Sequence, residues 1–125
     1  MREDDASILN HDRLFRRVHE NQLVRANDGS RRPSSAVFKT EELSVNIESL
    51  LVEQGRPPED TLKGFPGEFL TSITAGQVRK HGHVIVKDNE PPNDPAHGLV
   101  PEKKKGSFAN AMFRSSVWVV PPPKE

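Results

Sequence analysis

The sequence predicts an α+β fold: a small single domain with a short-stranded, mainly antiparallel sheet and three to four short helices. Several segments alternate apolar and polar residues, which is typical of half-buried strands. Others start with good first-turn residues and end at a glycine, which is typical of short helices. Eleven Pro and eight Gly among 125 residues require many irregular connections. We expect one domain over residues 12–120, a flexible acidic tail over residues 1–11 and a proline-rich tail over residues 121–125.

The strand predictions rest on alternation and on β-branched and aromatic residues. Asn27 to Ser30 forms a strong turn signal. The segment between residues 87 and 97 is rich in Pro and Asn, so its flanking strands should form a wide hairpin. The predicted strands cover residues 14–18, 36–38, 43–47, 69–74, 83–87, 97–100 and 118–120.

Four helical segments are predicted. Residues 48–54 form a helix that Gly55 ends, and Pro57 and Pro58 start a second short helix that Gly64 ends. Residues 77–80 form a third. The fourth begins at Ser107 as N-cap and places Phe108, Ala111 and Met112 on one stripe. The predicted core consists of Phe15, Val37, Ile47, Leu50, Phe69, Ile73, Val84, Val86, Leu99, Met112 and Trp118.

Composition excludes several classes of protein. There is no Cys, so disulfides and thiolate metal sites are absent. No apolar run is long enough to span a membrane, and the acidic N-terminus lacks the apolar core of a signal peptide. We therefore expect a soluble cytoplasmic protein with no membrane partner. Only 33% of residues are hydrophobic, so the core is small and support from a partner protein is a reasonable expectation.

The formal net charge of zero hides a segregated pattern. Residues 13–39 carry seven positive and two negative side chains, whereas residues 41–60 carry one positive and six negative. The two segments either neutralise each other in the fold or form a two-signed surface that orients a partner.

Histidines are the first candidates for chemistry. His81 and His83 are two residues apart, and His97 lies on the predicted returning strand. Three imidazoles could hold a zinc ion, but Gly82 separates the first two and Lys87 shares the face of His83. Surface or turn histidines are the simpler interpretation, and no metal site is predicted. His97 is the candidate general acid or base.

Two basic segments are candidates for anion binding. Lys103, Lys104, Lys105 and Ser107 stand at the start of a predicted helix, where unpaired amides favour a phosphate. Solvated lysines in a turn are the alternative. Arg16 and Arg17 belong to an Arg-rich stretch that could clamp phosphates or simply pair with residues 41–60.

One short stretch carries a family resemblance. Leu14 to Val18 followed by Ser34 and Ser35 on a second strand resembles the opening layout of compact ADP-ribosyl-transfer folds. The resemblance implies an early Arg or His that grips nicotinamide dinucleotide and a Ser that supports it. The late catalytic Glu of such folds has only Glu102, beside three lysines, as a counterpart. We do not assign the chain to that family.

Three function classes follow. The first is a small binding or accessory protein that works within a larger assembly, with another protein as partner. The second is a small enzyme that acts on a phosphate-containing substrate, such as a nucleotide or nucleic acid, with the Arg and Lys groups holding phosphate and His97 transferring protons. The third is a sequence-independent nucleic-acid binder. The sequence identifies no cofactor.

Overall fold

The computed structural model describes residues 3–123 and has an α+β fold, as predicted. Six strands form one antiparallel sheet in the order β6-β7-β4-β1-β5-β8, and β2 and β3 form a separate hairpin. The strands are β1 (Arg13–Val18), β2 (Leu23–Arg25), β3 (Arg31–Pro33), β4 (Leu43–Ile47), β5 (Phe69–Thr74), β6 (Val86–Lys87), β7 (His97–Val100) and β8 (Val117–Val120).

Three α-helices connect these strands: α1 (Glu48–Glu53), α2 (Ala75–Lys80) and α3 (Gly106–Ser115). Three short 3₁₀ helices cover Glu20–Gln22, Ser35–Phe38 and Pro58–Leu62. Gly55 follows α1 with a φ of 65°, a conformation that glycine adopts without strain, so the predicted end of this helix is confirmed. No helix within residues 3–123 has the length and apolar content that crossing a membrane requires.

Strand β1 lies between β4 and β5 and sets the register of the sheet. Leu14 faces Ile47 on β4 and Ile73 on β5, and all three side chains are buried. Next along the strands, Phe15 faces Asn46, which in turn faces His97 on β7. Paired residues of adjacent antiparallel strands project from the same face, so Asn46 and His97 share one face of the sheet.

The hydrophobic core joins the sheet to α3 and to the Ser35–Phe38 helix, which contact each other. Phe38 and Met112 are fully buried in the same core cluster as Leu14 and Ile47, and each such side chain contributes roughly 1.5–3 kcal/mol through burial. Seven predicted core residues are buried, whereas four others remain partly exposed at the periphery of the core. These four are Phe69, Val84, Val86 and Trp118.

The segment before β1 is packed against the domain, where the sequence predicts a flexible tail. Ile8 is 1% exposed and belongs to the core cluster. The amide of Asp5 donates to the carbonyl of Ile85, and a carboxylate oxygen of Asp4 accepts from the amide of Ile85. Arg79 of α2 also binds the Asp4 carboxylate at 3.1 Å.

This packing explains why the strand predicted at residues 83–87 covers only Val86–Lys87 in the structure. The amide and the carbonyl of Ile85 are bonded to Asp4 and Asp5, so Ile85 does not join the β6–β7 ladder. The hairpin itself is confirmed, because Val86 pairs with Leu99.

Two further predictions were wrong in detail. Residues 36–38 form part of a 3₁₀ helix and not a strand, because the Ser34 hydroxyl accepts a hydrogen bond from the Ala36 amide and caps that helix. Helix α3 has Lys105 and not Ser107 as its N-cap, since the carbonyl of Lys105 already accepts from the amide of Ala109.

Gly98 provides a test of the packing between β7 and Ile47 on β4. A Cβ atom at this position would lie 2.6 Å from Cδ1 of Ile47 and 3.1 Å from the carbonyl oxygen of Val86. We therefore expect Gly98→Ala to lower the free energy of unfolding by about 1–3 kcal/mol, the usual cost of overpacking. Chemical denaturation measures the change.

Gly106→Ala is the matched control, because a Cβ at Gly106 meets no atom within 4 Å. It should leave stability unchanged or slightly raise it, since Ala favours helix over Gly. Equal effects of the two substitutions would contradict the proposed close contact between β7 and Ile47.

Candidate functional site

A cleft of about 480 Å³ lies over the face of the sheet that carries Asn46 and His97; we call it the sheet cleft. Strands β1, β4 and β7 contribute Arg17, Asn46 and His97 to its floor. One wall comes from the segment after α1 and the other from the β6–β7 connection. The wall residues are Arg56, Asp60, Thr61, Lys63 and Phe65 on the first side, and Pro92, Asn93 and Asp94 on the second.

Asp88 holds the imidazole of His97 in place. His97 Nδ1 lies 3.2 Å from a carboxylate oxygen of Asp88 and 3.1 Å from the Asp88 carbonyl oxygen. Both oxygens are acceptors, so Nδ1 carries the proton and donates. In the neutral ring this leaves the lone pair on Nε2, the nitrogen that a general base uses.

Arg17 is the cation of the cleft floor. Its guanidinium lies 3.8 Å from the centroid of the Phe65 ring and donates one hydrogen bond to the Thr61 carbonyl at 3.4 Å. It has no carboxylate partner within residues 3–123. The remaining donors of this planar group are therefore available to a bound anion.

Asn46 lies directly beside His97 and is only 5% exposed. In the part of the chain that the structure describes, its side-chain amide makes no hydrogen bond. Its amide atoms are not among the fully buried side-chain atoms that lack a partner in residues 3–123, so they open into the cleft and can bond to water or to a ligand.

Arg56 connects the two walls. Its guanidinium makes two hydrogen bonds of 2.9 Å to the Asp94 carboxylate and one of 2.6 Å to Asp60. Lys63 also contacts Asp60 at 2.6 Å. Hydrogen bonds from Lys63 and Arg56 lower the pKa of Asp60, and the Arg56 pair lowers that of Asp94, so both stay ionised at neutral pH.

The predicted anion-binding residues do not all meet. Arg17 shares the sheet cleft with His97, whereas Arg16 projects from the opposite face because successive residues of a strand alternate. Arg16 donates to the Ser44 carbonyl at 3.1 Å, and burial lowers its pKa.

Lys103, Lys105 and Ser107 line a second cleft, of about 440 Å³, together with His81 and His83. The ring of His83 packs edge-on against Phe108 at 4.6 Å between centroids. Burial and the nearby Lys104 lower the pKa of His83, so its ring is neutral at pH 7. His97 does not line this cleft.

Lys104 faces neither cleft and is 3% exposed. Its ammonium donates to the carbonyls of Glu41 at 2.9 Å and Val100 at 2.6 Å, and also to that of Glu102. Glu102 adopts a positive φ of 76° in this turn. Lys104 therefore ties the end of β7 to the segment that precedes β4.

Two further features considered in the sequence were a metal site and the pair Ser34 and Ser35. Within residues 3–123, no group of three or more His, Asp or Glu side chains is arranged to hold a metal ion. Ser34 and Ser35 lie at a 3₁₀ helix and not on a second strand, which removes part of the layout behind the ADP-ribosyl-transfer resemblance.

The basic and acidic segments interact only in part through ion pairs. Arg13 contacts Glu48 at 2.6 Å, which joins residues 13–39 to residues 41–60. Arg32 instead donates to the carbonyls of Phe113 and Ser116 at the end of α3. Arg13 therefore pairs with the acidic segment, whereas Arg32 bonds to backbone carbonyls of α3.

Sequence reasoning missed Asn46, Arg56, Asp60, Lys63 and the Asp88 partner of His97. A signal was present for Asn46, since it faces away from Val45 and Ile47 on the predicted strand at residues 43–47. Its position beside His97 depends on the order of the strands, which alternation does not give.

Comparison with known proteins adds no identification: no family model, curated protein or solved structure matches this chain.

The role of Lys104 can be tested by Lys104→Met, which keeps an unbranched apolar stem and removes the ammonium donors. We expect the free energy of unfolding to fall by about 1–3 kcal/mol, because buried carbonyls lose a partner. Lys103→Met is the control: Lys103 is exposed, so stability should change by less than about 0.5 kcal/mol. If the two variants unfold alike in urea, Lys104 does not hold this turn.

Proposed function

We propose that the protein is a small enzyme that acts on a phosphate-containing substrate in the sheet cleft. The observation that carries the proposal is the meeting of Arg17, Asn46 and His97 on one cleft floor, with the His97 ring oriented by Asp88. Arg17 would hold the phosphate and His97 would act as general base. The volume of about 480 Å³ falls within the usual range for small-molecule sites.

The chemistry follows from these groups. Nε2 of His97 accepts a proton from a water molecule as the water oxygen bonds to phosphorus. The bond from phosphorus to the leaving oxygen breaks on the opposite side, that oxygen takes a proton from solvent when it needs one, and Nε2 later gives its proton back to water. Arg17 donates to the non-bridging oxygens, on which negative charge is concentrated in the transition state. The Asn46 amide provides a further donor at the floor.

A binding protein within a larger assembly is the second candidate, favoured by one observation. Leu9 is 55% exposed and Val52 is 70% exposed, and both line a recess of about 310 Å³ beside α1. Exposed apolar side chains at a recess are typical of a contact surface for another protein. A nucleic-acid binder has less support, because Arg13, Arg32 and Lys104 are occupied by contacts within the protein.

The test of the enzyme hypothesis is hydrolysis of 4-nitrophenyl phosphate and bis(4-nitrophenyl) phosphate, followed by nitrophenolate absorbance. We expect His97→Gln to reduce kcat by about 10²–10⁴-fold, the usual contribution of a general base. Arg17→Met removes the guanidinium that lies over Phe65, so it should both raise KM and lower kcat. Arg114→Met, at an exposed position away from the sheet cleft, should change neither constant.

Hydrolysis that persists unchanged in His97→Gln would exclude His97 as the catalytic group. If the native protein neither hydrolyses nor binds either ester, the enzyme hypothesis fails and the binding hypothesis replaces it.

A further inference from the structure

The charges that line the sheet cleft nearly cancel. Arg17, Arg56 and Lys63 are positive, whereas Asp60 and Asp94 are negative. Apart from His97, the lining therefore has one positive charge in excess. This small excess limits how much negative charge a ligand can bring into the cleft.

The excess charge is located at Arg17. Arg56 is bonded to both Asp60 and Asp94, and Lys63 is bonded to Asp60, so these two cations are already paired. Arg17 contacts the Phe65 ring and the Thr61 carbonyl, neither of which carries charge. A bound anion therefore meets one unpaired cation.

Two features disfavour a second negative charge on the ligand. The wall cations Arg56 and Lys63 are bonded to Asp60 and Asp94, so no free cation remains in the walls to balance it. The Asp88 carboxylate, 3.2 Å from His97 Nδ1, adds a third negative charge behind the floor. Interactions between charges are strong where water is partly excluded, so the repulsion is not fully screened.

The walls of the sheet cleft give an independent indication of how many organic substituents the bound phosphate carries. Phe65 is 39% exposed and stands on the first wall, while Pro92 stands on the second. An apolar surface on each side of the floor suits a phosphate with an organic substituent on both sides. A phosphate monoester has only one such substituent.

We propose that the substrate class of the sheet cleft is a phosphodiester, which carries a single negative charge, and not a phosphate monoester or a polyphosphate. The inference rests on the proposed function and specifies its substrate. In hydrolysis, water adds to phosphorus, one ester bond breaks, and the products are an alcohol and a phosphate monoester. The monoester product gains negative charge, which the one unpaired cation of the cleft does not balance, so release of the product is favoured.

The experiment compares bis(4-nitrophenyl) phosphate with 4-nitrophenyl phosphate at pH 8, where the monoester is a dianion because its second pKa is about 6. Dimethyl phosphate and methyl phosphate, used as competitive inhibitors, provide a comparison that does not depend on the reactivity of the leaving group. We expect the diester to be hydrolysed and the dimethyl ester to bind at least about tenfold more tightly than the monomethyl ester, a difference that one charge can produce.

Asp60→Asn provides the sharpest variant, because it removes one wall carboxylate and leaves Lys63 unpaired. It should raise the affinity for methyl phosphate by about tenfold and leave that for dimethyl phosphate less changed. Glu59→Gln is the control, since Glu59 is an exposed carboxylate next in sequence that does not line the cleft. Asp94→Asn repeats the test on the other wall if Asp60→Asn does not fold.

The outcomes separate the two proposals. A preference for the diester that weakens in Asp60→Asn and not in Glu59→Gln supports the inference. A preference for the monoester overturns the inference and leaves the enzyme proposal standing, whereas no interaction with any of the four esters overturns both. Among natural diesters, a dinucleoside monophosphate and glycerophosphocholine then distinguish a nucleotide source from a lipid headgroup source.

Discussion

The pairing of β4 with β7 is the constraint on which the rest of the site depends. Asn46 faces His97 in this pairing, and Gly98 allows Ile47 to approach the β7 backbone closely. A shift of one residue would move every side chain of β7 to the opposite face of the sheet. His97 would then enter the core side, and the floor formed with Arg17 would be lost. The packing of an apolar side chain against a glycine thus determines the position of the polar site.

The walls depend on ionic contacts more than on apolar packing. Arg56 joins the segment after α1 to the β6–β7 connection through Asp60 and Asp94. The carbonyl of Asp94 also accepts from the amide of His97 at 2.9 Å. The same residue therefore closes the rim and positions the start of β7. Because these pairs neutralise each other, the rim is held together while Arg17 stays available to an anion.

The fold was largely predictable from the sequence, because the alternating apolar residues Leu43, Val45 and Ile47 are all buried in β4. The strand at residues 83–87 was overestimated because Asp4 and Asp5, distant in sequence, bind the backbone of Ile85. The site was less predictable. The sequence identified Arg17 and His97 as candidates from their chemistry alone. Their place in one cleft depends on the strand order β7-β4-β1, which arises from non-local pairing. The burial of Lys104 depends likewise on carbonyls from two distant segments.

The most direct measurement is ¹⁵N-resolved NMR of the His97 ring at pH 8, alone and with dimethyl phosphate added. We expect the Nδ1–H tautomer, because both Asp88 oxygens near Nδ1 are acceptors. We also expect the Nε2 resonance to shift on addition of the diester, and to shift much less in Arg17→Met. An Nε2–H tautomer, or an Nε2 resonance that does not respond, would contradict a phosphate site formed by Arg17 and His97.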